Sequence, residues 1–199
     1  MSWKPFIRPW KNWKTCNIAL NPPVRADFAI PINGGFTMNI RPAVLQDLDT
    51  ILSVYDTARA FMRTHDNPTQ WAGGYPKREL LEEDVANRQL FVVTDDTDAI
   101  HGVFAYILGE DPTYQLIEDG AWPNTLPYGT IHRIASDGTV KGILKLAVDF
   151  ALTHCRQLRA DTHHDNYVMQ NAMTRLGFQY CGIIYVSDGS PRKAYQLNI

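Results

Sequence analysis

A mixed α/β (α+β) fold is what this sequence predicts: a central mixed sheet with helices on both faces. Three observations predict it. A strand-like run at 128–135 passes through Ser136-Asp137-Gly138 into a helix whose Leu144, Ala147, Val148, Ala151 and Leu152 recur at helical spacing. A second strand at 158–161 leads into another helix that Gly177 stops. Upstream, the β-rich runs 90–94 and 100–108 flank the polar turn Asp95-Asp96-Thr97-Asp98, which reads as a hairpin. The hairpin makes part of the sheet antiparallel, and the helical crossover between the strands at 128–135 and 158–161 makes those two parallel.

The remaining elements follow in chain order. Residues 1–37 hold Trp3, Trp10, Trp13 and the bases Lys4, Arg8, Lys11, Lys14 and Arg25 against the single acid Asp27, with no sustained period. They are read as an irregular N-terminal extension ahead of one domain, 38–199. Ile18-Ala19-Leu20 is too short an apolar run for a secretion signal. Met38-Asn39-Ile40-Arg41-Pro42 reads as the domain's first strand. Leu48, Ile51, Leu52, Tyr55 and Ala58 then mark an amphipathic helix. Proline and paired glycine at 64–76 forbid regular structure and leave Trp71 and Tyr75 in a loop. A short helix at 78–87 precedes the hairpin. An insertion-like loop at 109–127 carries Glu110, Asp111, Tyr114, Glu118, Asp119 and Trp122. The helix from Lys141 runs to Cys155, Asp165 is expected to cap the next helix, and 178–186 with 193–198 close the chain as a hairpin around 187–191.

Charge and cysteine usage exclude several classes. A net charge of -2 gives no basic footprint for nucleic acid or anionic membrane. No apolar run approaches the ~20 residues of a membrane span. Cys16, Cys155 and Cys181 are odd in number and widely spaced, which fits a reduced, cytoplasmic setting. His154, Cys155, His163, His164 and Asp165 lack Cys-x-x-Cys or His-Glu-x-x-His spacing, so no metal is expected. Nor do Cys155 and Cys181, in apolar surroundings, read as nucleophiles.

The chemistry points to an anion. Unpaired N–H groups at the start of the helix after 128–135, the helix macrodipole and a glycine at 142 make a corner suited to phosphate. At this corner, and at Asn166 through Leu176-Gly177-Phe178, the chain resembles the GNAT superfamily of acyl-CoA-dependent N-acetyltransferases, in element order from about Met38 to Ile199. The family's diphosphate loop, Arg/Gln-x-x-Gly-x-Gly/Ala, matches Thr139-Val140-Lys141-Gly142-Ile143-Leu144 only at Gly142. Thr139 stands where a basic or amide residue is usual, and Leu144 replaces the last small residue.

The resemblance implies a GNAT-like acyl-CoA N-acyltransferase fold, in which the strands at 128–135 and 158–161 splay apart to admit the acyl-pantetheine arm. It implies acetyl-CoA as cosubstrate, held by main-chain groups of Ile134, Ala135 and Ser136 and by the amides of Thr139, Val140, Lys141, Gly142, Ile143 and Leu144. Lys141 or Lys145 adds charge, and Asn166, Met169 and Met173 line the pantetheine side. Met173 occupies the place of the family's thiolate-protonating Tyr. Tyr167, His163, His132 and Cys181 are alternatives, as is departure of an unprotonated thiolate. His132 is expected as general base, with a satisfied core histidine as the alternative. Trp71, Tyr75, Tyr114 and Trp122 are candidate acceptor walls or loop anchors. The expected activity is acetyl transfer from acetyl-CoA to a primary amine of a small molecule or peptide, directly within a ternary complex; the alternative is a catalytically weak acyl-CoA-binding module. The resemblance also admits a homodimer.

Overall fold

The computed structural model describes residues 28–32 and 36–199, so most of the extension expected at 1–37 lies outside the described residues. Among those described, the order is β1 (Phe28–Ile32), β2 (Phe36–Pro42), α1 (Leu48–Thr64), α2 (Arg78–Ala86), β3 (Leu90–Thr94), β4 (Ile100–Leu108), β5 (Gly129–Ser136), α3 (Ile143–Leu152), β6 (Gln157–Thr162), α4 (Tyr167–Arg175), β7 (Gln179–Tyr185) and β8 (Pro191–Asn198). No helix among them is long and apolar enough to cross a membrane. They fall into two compact units: one takes the described residues up to Tyr106 with Ile131–Phe150, the other Ile107–Thr130 with Ala151–Ile199.

In the first unit the strand order is β1-β2-β3-β4-β5. β1 to β4 pair antiparallel, with Ile40 opposite Val93 and Val92 opposite Val103. β1 and the start of β2 fall in the segment read as irregular. Phe28-Ala29-Ile30-Pro31-Ile32 has no alternation to announce a strand, and its proline is tolerated because β1 is an edge strand. Every residue of β3 is buried, since helices cover both faces. On one face Leu90 and Val92 pack with Ile51, Val54 and Tyr55 of α1 and Leu81 of α2. On the other, Phe91 and Phe104 meet Phe150 of α3 at ring-centroid distances of 4.9 and 5.8 Å. α3 presses so close on β4 that a Cβ at Gly102 would lie 2.6 Å from Ile143.

In the second unit β5, β6, β8 and β7 are neighbours in that order. β5 and β6 are parallel, as expected, but their ladder consists of Gly129↔Leu158 and Thr130↔Arg159 alone. β6 then continues antiparallel to β8 from Gln157↔Asn198 to Thr162↔Lys193. Tyr114, Tyr128, Ile184 and Ala194 form this unit's core. Arg159 lies in it with its guanidinium 3.9 Å from the ring centroids of both Trp122 and Tyr128, donating to Gln196 Oε1 and to the Asn124 carbonyl. Asp165 does not cap α4. Asn166 does, its Oδ1 accepting the Met169 N–H at 3.1 Å, because the helix starts one residue later than the spacing suggested.

Candidate active site

The first unit carries the anion corner. β5 ends at Ser136, and α3 does not start until Ile143. Asp137 N–H returns to the His101 carbonyl at 3.0 Å, Gly138 N–H is taken by Ser136 Oγ and Thr139 N–H by Asp137 Oδ1. From there the pattern changes. The next backbone donor to find an acceptor is Leu146, whose N–H bonds the Gly142 carbonyl at 3.0 Å. Among the described residues, the N–H groups of Val140, Lys141, Gly142, Ile143, Leu144 and Lys145 meet no acceptor. Six consecutive amides at a helix start, with the macrodipole behind them, attract a polyanion. Gly142 adopts φ +87, and a Cβ there would meet nothing within 4 Å, so the space beside that residue is open. Lys141 is exposed, whereas Lys145 is already paired with Asp149. These residues fit a diphosphate through the main chain, which is why the departures at Thr139 and Leu144 leave the corner intact.

His132 is half-buried on β5, one residue before an irregularity. Arg133 has φ +52, a left-handed conformation that costs a non-glycine residue about 1–2 kcal/mol and here breaks the strand's alternation. The regular alternation of faces therefore does not hold between His132 and Arg133. Two contacts hold Arg133 in place. Its carbonyl accepts the Tyr55 hydroxyl at 2.8 Å, and its guanidinium donates to both oxygens of Asp84 at 2.9 and 2.7 Å. Burial pushes the Tyr55 phenol far above its usual range, so it stays a donor. Burial also raises the Asp84 carboxyl, against the pull of Arg133 and the nearby His132. The contacts of Arg133 with Asp84 and Tyr55 were not foreseen. The available signal was an acid at 84 on the face of α2 that also carries Leu81 and Val85. Trp71 packs edge-on against Tyr55 at 5.5 Å, and Tyr75, 37% exposed, stands 6.5 Å from Trp71. Of the expected wall residues, these two remain available at the surface of this unit.

The second unit holds the others. Tyr114 is a correction: it is 2% exposed, its hydroxyl donates to Asp161 at 2.9 Å, and its ring belongs to the core. Trp122 donates from Nε1 to the Tyr114 carbonyl at 2.8 Å and anchors the loop beside Arg159. Met173 is likewise a core residue at 1% exposure, while Met169 is half-buried and Tyr167, first in α4, is 59% exposed. Burial and the neighbouring His164 and Arg192 lower the His163 imidazole, and burial raises the Cys181 thiol. Against the spacing argument, His163, His164 and Asp165 do bring one ligand atom each within 4.8 Å of one another. Asp165 already pairs with His164 at 2.9 Å, however, and Arg192 opposes a cation there.

No family model and no curated protein matches the chain. A GNAT-family acetyltransferase structure from Streptococcus agalactiae aligns at 31% identity and a TM-score of 0.71, covering 83% of this chain and 96% of that one. GNAT-family acetyltransferase structures from Listeria monocytogenes (20% identity, TM-score 0.63, 86% and 99% covered) and Bacillus cereus (17%, 0.52, 81% and 96%) share the fold.

Proposed function

The chain belongs to the GNAT family of acetyltransferases, and from that premise we propose that it transfers an acetyl group from acetyl-CoA to a primary amine of a small molecule or peptide, directly within a ternary complex. The observation that carries this reading is the row of six unpaired amides from Val140 to Lys145, with open space over Gly142. Those amides and the Lys141 ammonium hold the diphosphate of acetyl-CoA, which supplies the activated acyl group. Main-chain N–H groups at 134–136 stabilise the oxyanion that develops at the acyl carbon.

An acceptor amine with a lysine-like pKa near 10.4 is free base in only about one molecule in a thousand at neutral pH, so it must lose a proton before or during attack. His132 takes that proton. The nearby Asp84 carboxyl, paired with Arg133, stabilises the imidazolium so formed. Trp71 and Tyr75 form the acceptor's wall. Met173, buried, is unable to donate to the departing thiolate.

The test mixes the protein with acetyl-CoA and a panel of amines and follows thiol release. Turnover with at least one amine, reduced by about 100-fold or more in His132→Ala, is expected. Acetyl-CoA binding without thiol release across the panel would leave a binding module, and no acetyl-CoA binding would refute the reading. Undiminished turnover in His132→Ala would remove the base.

A further inference from the structure

The β3–β4 ladder sets Val93 opposite Gly102 and Thr94 opposite Ile100, so His101 is the extra residue of a bulge on β4. A bulge breaks the alternation and re-aims a side chain. Here both the main chain and the side chain of His101 address the corner after β5. Its carbonyl accepts the Asp137 N–H at 3.0 Å, and its Nδ1 lies 2.9 Å from Asp137 Oδ2 and 2.9 Å from Thr139 Oγ1. On the other side Nε2 faces Asp95 Oδ2 at 3.4 Å. Asp137 in turn accepts from the N–H and hydroxyl of Thr139. Thr139 is the residue immediately before the six unpaired amides, so whatever fixes it fixes where that row begins.

We propose that His101 is the positioning residue of the diphosphate corner, holding it through Asp137 and Thr139, and that it holds best as the imidazolium. This rests on the acyl-CoA reading above and adds a reason for the missing basic residue at 139: the threonine there is a tether to β4. With both ring nitrogens donating, one to each aspartate, the protonated ring satisfies Asp95 and Asp137 together. The charged groups facing it are those two carboxylates. Arg41 of β2, which reaches the hairpin tip, is engaged by Asp47 and Asp98, and α3 contributes the apolar Ile143 against the neighbouring Gly102. Burial opposes the charge on His101, but its hydrogen bonds to Asp137 and Asp95, with the charge of those carboxylates, outweigh it and raise the imidazole above its ordinary value. The sign follows: the tether is at full strength below the ordinary histidine range and is lost as pH rises through the raised value.

The experiment measures acetyl-CoA affinity by calorimetry from about pH 5.5 to about pH 8.5 for the full chain, His101→Ala and His101→Asn. At the acid end His101→Ala is expected to bind about tenfold more weakly, with kcat at saturating acetyl-CoA within about twofold of wild type. The amide nitrogen of His101→Asn overlies Nδ1 and cannot titrate, so this variant recovers part of the affinity with a flatter pH profile. Comparing the profiles cancels the titration of the acetyl-CoA phosphates. Wild-type affinity in His101→Ala at every pH, or a wild-type pH profile in His101→Asn, overturns the proposal while leaving the acetyltransferase reading in place. Failure of the wild-type protein to bind acetyl-CoA takes down both.

Discussion

Replacing Arg133 by methionine isolates the buried pair behind the proposed base. The substitution keeps an unbranched stem and a non-glycine residue at φ +52, so packing and backbone strain largely cancel between the two proteins. What it removes is the one guanidinium nitrogen that donates to both oxygens of Asp84, whose side chain is 6% exposed. A buried carboxylate stripped of its partner costs about 3–5 kcal/mol. For a chain of 199 residues, at about 2–4 °C per kcal/mol, the melting temperature should fall by about 6–20 °C. Without the guanidinium, the burial that already raises the Asp84 carboxyl is less opposed and raises it further. The deficit is then smallest in acid and grows as pH rises above about 4, because the unfolded chain ionises first. Urea unfolding followed by circular dichroism at several pH values measures this. Adding Asp84→Leu to Arg133→Met should recover more than half of the loss, since no charge is then left buried. A single variant that loses less than about 1 kcal/mol, or a double variant as unstable as the sum of the singles, would refute the argument.

Two further outcomes separate binding from stability. Gly142→Ala and Gly138→Ala both place a Cβ on a left-handed residue, at φ +87 and +83, with nothing within 4 Å. Each should cost about 1–2 kcal/mol in a melt. Only Gly142→Ala should also weaken acetyl-CoA binding, by about tenfold or more, because the Gly138 N–H is already taken by Ser136. Equal losses of affinity in the two variants would remove the diphosphate from this corner. Asn166→Ala should destabilise by about 1 kcal/mol through loss of the cap on Met169 N–H. Asn166→Asp keeps that cap and removes the amide donor, so a raised KM for acetyl-CoA at unchanged stability would mark Asn166 as a ligand contact, and an unchanged KM would confine it to capping.

Local spacing decided much of this protein in advance. The 3.6-residue period of α1 and α3, the hairpin turn at Asp95–Asp98, the helix between two parallel strands and the glycine at 142 each depend on neighbours within a few positions, and all were legible in the sequence. So was the family, from Gly142 and from Asn166 through Gly177-Phe178. The tertiary structure alone decided what joins distant segments. Asp84 finds Arg133 across 49 residues and His101 finds Asp137 across 36. The bulge that aims His101 and the left-handed turn at Arg133 are imposed by strand pairing and by the Tyr55 contact, not by the residues themselves. Tyr114 looked like a cleft residue because loops are exposed on average; a hydroxyl partner on β6 drew it into the core. Periodicity records which face of an element is apolar, but the partner of a polar group on that face is chosen only when the chain closes.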